Sequence, residues 1–139
     1  MEELLHYAWK HKIYPLGVLY TSDGRPVEII DAGLQNTNAG PDFFNAKIKI
    51  DGTVWVGNVE IHRCSSDWNR HGHHLDPAYE SVVLHVVSDL DAEVHDLKGR
   101  SIPQLCLPYP SHLEERYEEL RRAEYYPCLL YTSPSPRDS

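Results

Sequence analysis

Basic side chains are scarce in this sequence: 13 Lys and Arg stand against 21 Asp and Glu, for a net charge of −8. Phosphate backbones are held mostly through Lys and Arg, so this balance works against a nucleic-acid binder. Long apolar runs are missing too. No stretch approaches the ~18 apolar residues that span a membrane, and no apolar segment follows Met1-Glu2-Glu3 as a secretory signal requires. The expectation is a cytoplasmic protein without a membrane partner. Cysteine is the third shortage. Cys64, Cys106 and Cys128 show no CxxC spacing, which argues against both a disulfide framework and a zinc knuckle.

The end of the chain sets a boundary for fold reasoning. Cys128 to Asp138 reads Cys-Leu-Leu-Tyr-Thr-Ser-Pro-Ser-Pro-Arg-Asp. This peptide is similar to the translation of a transposase adapter used in preparing sequencing libraries. Residues 128–139 are therefore expected to be a non-native tail. Residues 1–127 are expected to form a single α+β domain whose natural C-terminal part is missing. Arg137 and Asp138 cancel, so setting the tail aside leaves the net charge unchanged.

What is present patterns into short elements. Leu4, Leu5, Ala8 and Trp9 recur at helical spacing within residues 2–12, ahead of Pro15. Leu16–Tyr20 and Pro26–Ile30 flank Ser22-Asp23-Gly24-Arg25 as a hairpin. Phe43–Ile50 and Thr53–Ile61 flank Asp51-Gly52 as a second. A polar connection over residues 63–81 contains Asp76-Pro77, which suits a helix start. Val82–Val87 is continuously apolar, as in a strand buried on both faces, and the connection is long enough for a parallel crossover. Further strands are expected at Ala92–Val94 and Ile102–Leu107. Ser111 and Glu114 make a capping box, with Leu113, Tyr117 and Leu120 on one helical face. The fold class is α+β: a mixed sheet, built from a three-strand meander plus a parallel strand, with flanking helices.

Two constellations carry chemistry. Glu60 and His62 are two apart on a strand and share a face. Asp42 joins them only in one register. A two-residue turn at Asp51-Gly52 pairs Ile50 with Thr53 and puts Asp42 opposite Ile61. A three-residue loop pairs Lys49 with Thr53 and puts Asp42 opposite Glu60. Patterning does not choose between the two; the shared site needs the second, which is the register expected. Carboxylates so close repel unless a cation lies between them. Mg²⁺ or Mn²⁺ on Asp42 and Glu60 would polarise a phosphodiester, with His62 assisting the attacking water. The other constellation is His71, His73 and His74, which together with His62 offers nitrogen donors for Zn²⁺, with Glu60 or Asp76 completing the site, although no His-Glu-x-x-His helix is present. His85, Trp68 and Tyr79 read as packing residues. Lys47, Lys49 and Arg63 read as a solvated sheet edge. No nucleic-acid-binding residue is assigned.

Pro41-Asp42, Glu60 and His62 resemble the D…ExK pattern of the PD-(D/E)xK nuclease superfamily, with His62 where Lys is usual. That resemblance implies a restriction-endonuclease-like core, a divalent-metal-dependent phosphodiesterase activity, and nucleic acid as a partner. The alternatives are a His-based zinc hydrolase, or a degenerate nuclease fold kept as an interaction module. Gly40-Pro41-Asp42-Phe43-Phe44-Asn45-Ala46, Gly57-Asn58-Val59-Glu60-Ile61-His62, Ser66-Asp67-Trp68, His71-Gly72-His73 and Leu84-His85-Val86-Val87 also resemble an uncharacterised bacterial family, domain of unknown function 2851. Its members run to several hundred residues, and it implies no activity.

Overall fold

A computed structural model of the chain describes residues 2–14 and 18–107. The capping box at Ser111 and Glu114 and the segment 128–139 lie outside these residues.

Helix α1 spans Glu2–Lys10, with acidic Glu2 and Glu3 in its first turn and Lys10 in its last, as the helix dipole favours. Leu4, Leu5, Ala8 and Trp9 form its buried face. It ends in a Schellman turn: Ile13 N–H donates to Ala8 C=O at 2.8 Å and Lys12 N–H to Trp9 C=O at 3.3 Å. Lys12 takes the left-handed conformation this closure demands (φ 58°). The indole N–H of Trp9 donates to Ala32 C=O at 2.9 Å and so pins the helix onto the sheet's connections.

Seven strands make one mixed sheet: β1 (Leu19–Tyr20), β2 (Pro26–Asp31), β3 (Leu34–Gln35), β4 (Phe43–Ile50), β5 (Thr53–Cys64), β6 (Val82–Asp89) and β7 (Gln104–Cys106). The order is β1-β2-β4-β5-β6-β7, with β3 also paired to β4. Pairings are antiparallel up to β5, then parallel for β5–β6 and β6–β7. The meander and the added parallel strand are as the sequence predicts. A bridge between Thr21 and Leu105, with Ser22 N–H donating to Gln104 C=O at 2.8 Å, brings β1 against β7. The sheet is thereby nearly closed into a barrel.

The β5–β6 crossover is short. It contains α2 (Asp67–Arg70) and two 3₁₀ turns, His73–Leu75 and Pro77–Tyr79. Asp76 caps the second by accepting from Ala78 N–H at 2.9 Å. β6 is buried along Val82–Val87, the pattern of a strand covered on both faces. It packs closely on β5 at Gly57, where an added Cβ would lie 2.4 Å from Val83 Cγ1 and 2.7 Å from Ser81 O.

Two expectations need correction. Ala92–Val94 is not a strand. The chain there is irregular, with a single bridge from His95 to Ser101, and Asp96 organises the turn by accepting from Lys98 and Arg100 N–H. The β4–β5 hairpin does not pair Lys49 with Thr53. Ile50 faces Thr53 across a two-residue turn, with Asp51 and Gly52 both at positive φ (50° and 83°). That is the type I′ geometry that matches strand twist.

No helix among the described residues is long and apolar enough to cross a membrane.

Candidate metal centre

The two-residue turn by itself would send Asp42 to the wrong face. A bulge reverses this. Ala46 pairs with Gly57 but Phe43 pairs with Val59, so two residues of β4, Phe44 and Asn45, stand against Asn58 alone. Asn45 adopts φ 58°, which Asn tolerates better than most side chains. Its N–H donates to Asn58 Oδ1 at 3.2 Å, while Asn58 Nδ2 donates to Ser81 Oγ at 2.8 Å. The phase shift puts Asp42 beside Glu60 after all. The two interlock: Asp42 N–H donates to Glu60 Oε1 at 3.1 Å, and Ile61 N–H donates to Asp42 Oδ2 at 2.8 Å.

Glu60, His85 and Gln104 form one row across β5, β6 and β7. His62, two residues beyond Glu60 on the same face, reaches back into this row. Its Nδ1 lies 2.8 Å from His85 Nε2, His85 Nδ1 lies 2.9 Å from Gln104 Oε1, and Gln104 Nε2 donates to Ala92 C=O at 2.8 Å. Proton positions along the chain follow from its last member. A carbonyl only accepts, so Gln104 turns its amide N–H₂ to Ala92 and its oxygen to His85. His85 must then carry its proton on Nδ1. Burial pushes the His85 pKa down to about 3, so the ring is neutral and its Nε2 is a bare acceptor. His62 therefore donates from Nδ1, which leaves its Nε2 to face Glu60.

The histidine loop meets that nitrogen. Gly72, at φ 74°, turns the backbone sharply between His71 and His73. His73 stacks on Tyr79 with ring centroids 3.7 Å apart, and Trp68 packs edge-on to both His73 and His85. One nitrogen from each of His62, His71 and His73 lies within 4.8 Å of the other two. His62 is 1% exposed and His73 7%, whereas His71 is exposed. Glu60 Oε2 lies 3.2 Å from His62 Nε2 and 2.9 Å from His73 Nε2. The shorter contact sets the buried His73 Nε2 directly against the carboxylate.

The electrostatics couple the two carboxylates to each other and to the imidazoles. Burial first, and then the charge of Glu60, raise the Asp42 carboxyl well above its usual range. Burial also works to raise Glu60, but the imidazoles of His62 and His73 outweigh it and hold that carboxyl low. His71 is lowered by desolvation and by its imidazole neighbours His62 and His73.

Asp42, Glu60, His62, His71 and His73 thus converge, while His74 lies outside the three-histidine group. His62 is fully buried, with Nδ1 engaged by His85 and Nε2 against Glu60. Lys47 and Lys49 are exposed on β4, and Arg63 pairs loosely with Asp89 at 3.8 Å. His6 of α1 escaped the sequence reading. Its Nε2 lies 3.5 Å from Asp42 Oδ2. The hint was a polar residue one turn from Glu2 on an otherwise anchored helix.

The family model described as "Protein of unknown function (DUF2851)" matches residues 2–132. No curated protein matches the chain, and no solved structure does.

Proposed function

The chain belongs to the DUF2851 family, and from its site we propose that it is a zinc-dependent hydrolase. The observation that carries this is the convergence of His62, His71 and His73 nitrogens within 4.8 Å. Imidazole donors suit Zn²⁺, whereas Mg²⁺ prefers oxygen. The His62 tautomer supports the same reading. The row ending at Ala92 C=O fixes the proton on Nδ1, which is how outer hydrogen bonds prepare a ligating histidine. In this reading Glu60 Oε2, already against two of the three rings, adds a carboxylate donor and offsets the ion's charge. His71, the exposed member, stands where water and substrate enter. A bound zinc ion would supply a hydroxide near neutral pH and polarise the bond to be cleaved.

A second reading, the Mg²⁺- or Mn²⁺-dependent phosphodiesterase with a nuclease-like core, has one observation in its favour: Asp42 and Glu60 are side by side. It is the weaker reading, because the remaining donors around the pair are imidazoles.

The test is metal uptake by the chelator-stripped protein, followed by competitive titration. Zn²⁺ should bind tightly and Mg²⁺ should not compete. Co²⁺ should give the visible spectrum of a low-coordinate nitrogen and oxygen site. His71→Ala and His73→Ala should each weaken zinc binding at least tenfold, and hydrolysis of activated ester or phosphoester substrates should require the metal. Absence of zinc uptake would sink the proposal. Stabilisation by Mg²⁺ or Mn²⁺ alone, lost in Asp42→Asn and Glu60→Gln, would establish the second reading instead.

A further inference from the structure

We infer that a second divalent ion binds beside the first, held by His6 and Asp42 and sharing the Glu60 carboxylate, so that the centre takes two metals and acts on phosphate esters. The inference rests on the zinc site proposed above.

The starting observation is a buried imidazole nitrogen that faces two carboxylates with no hydrogen bond to either. His6 Nε2 is buried and makes no hydrogen bond, although Asp42 Oδ2 stands 3.5 Å away and Glu2 Oε1 3.8 Å away. Burying a polar atom unsatisfied is costly, and such atoms call for an explanation. A ligand that binds the imidazole and the carboxylate together provides one. The ring is placed by α1, whose buried face is anchored by Leu5 and Trp9, and it sits against Phe43 with ring centroids 6.2 Å apart. Its position is thus fixed by packing and does not depend on the ion.

The second observation is how Glu60 divides its oxygens. Oε2 faces His62 and His73, whereas Oε1 faces the Asp42 backbone. One oxygen of the carboxylate therefore meets two of the imidazoles, and the other lies on the Asp42 side. On one side stand three imidazoles, and on the other His6 and Asp42. The two carboxylates between them are buried together, a juxtaposition that a positive ion relieves. A bridging carboxylate between two ions roughly 3.5–4 Å apart is the arrangement of two-metal phosphoester chemistry, where both attacking and leaving oxygens are held. The hydrolysis balances with water alone. The water oxygen forms the new P–O bond, the P–OR bond breaks with its electron pair going to the leaving oxygen, and the water's proton ends on that oxygen to give ROH and phosphate.

Metal content decides the matter, and it separates this inference from the reading beneath it. The chelator-stripped chain is dialysed against Zn²⁺ and its bound metal measured by mass spectrometry. Two ions per chain are expected. His6→Ala and the near-isosteric Asp42→Asn should each retain one, and His73→Ala should lose the first ion. Circular dichroism and melting identify any variant that fails to fold, and the stoichiometry of wild-type protein stands regardless. Inorganic phosphate should bind the two-ion protein at least tenfold more tightly than the one-ion His6→Ala protein. One ion per chain, unchanged in His6→Ala, overturns the second site and leaves the zinc hydrolase standing. No ion at all overturns both.

Discussion

His62 Nδ1 and His85 Nε2 face each other at 2.8 Å across two parallel strands, with neither ring open to solvent. The donor in this pair is set three groups away, by a carbonyl that can only accept. Removing the acceptor leaves a buried N–H on His62 unsatisfied, which costs about 1–3 kcal/mol. It also frees the ring to change tautomer. His85→Leu is therefore expected to weaken zinc binding roughly 10–100-fold, as loss of an outer hydrogen bond to a ligating histidine does. Gln104→Leu should act in the same direction with smaller effect. Competitive titration against a chromophoric chelator measures both, and unchanged affinity in His85→Leu would refute the orienting role.

Acid should destabilise the metal-free protein through the same residue. The His85 pKa lies at about 3 in the folded chain, against 6.5 unperturbed. Between those values the unfolded chain binds a proton that the native one refuses, so unfolding becomes easier as pH falls. This contribution is complete above pH 6.5 and is lost progressively towards pH 3. Melting temperature followed by circular dichroism should fall over that window, and His85→Leu should flatten the slope there.

Asp42 works with the opposite sign. Its folded pKa is raised above 3.8, so the native state keeps a proton that the unfolded chain releases. Metal-free stability should therefore decline as pH rises above the ordinary aspartate range. Asp42→Asn keeps an acceptor for Ile61 N–H and removes the charge. It is expected to raise the metal-free melting temperature by several degrees in mild alkali and little in mild acid, while reducing metal uptake. A variant less stable than wild type at alkaline pH would contradict the buried-acid account.

The bulge offers a sharper structural test. Asn45 at φ 58° should tolerate glycine with little loss, whereas a β-branched Asn45→Val should cost about 1–2 kcal/mol or more. Deleting Asn45 restores the unbulged register and carries Asp42 to the far side of the sheet. The deletion variant should then hold no more than one ion. Retention of wild-type metal content would show that the bulge does not set the site.

At Gly57 a methyl group meets Val83 Cγ1 and Ser81 O well inside contact distance. Gly57→Ala should cost about 1–3 kcal/mol through overpacking. Chemical denaturation measures it, and a neutral substitution would mean that β6 shifts freely against β5.

Much of the frame was legible because it rests on local pattern. The spacing of Leu4, Leu5, Ala8 and Trp9 gave α1, Asp51-Gly52 gave the hairpin, and the unbroken run from Val82 gave the buried strand. The register error at Lys49 was also local in origin: alternation is satisfied by either phase, and nothing in Phe44-Asn45 states that one residue will be squeezed out. What brought Asp42 back to Glu60 was a left-handed Asn, a weak signal without the partner amide of Asn58. The meeting of His62 with His71 and His73 depends on a crossover folding over the sheet, and no spacing rule encodes that. His6 was invisible for the same reason. Its place beside Asp42 comes from where α1 docks, and the Trp9 contact to Ala32 that fixes the docking spans distant parts of the chain.

The three imidazoles differ steadily in exposure, from open His71 through His73 to enclosed His62. On the zinc reading, that gradient would give metal traffic a direction. An incoming ion would be caught first at the rim and passed inward one donor at a time, and a departing one would retrace the path. A competing chelator could gain purchase only at the outermost ligand, while the inner bonds re-form behind it. Exchange would then be slow even where equilibrium affinity is ordinary, and occupancy would record the chain's past exposure to metal more faithfully than the concentration around it at any moment.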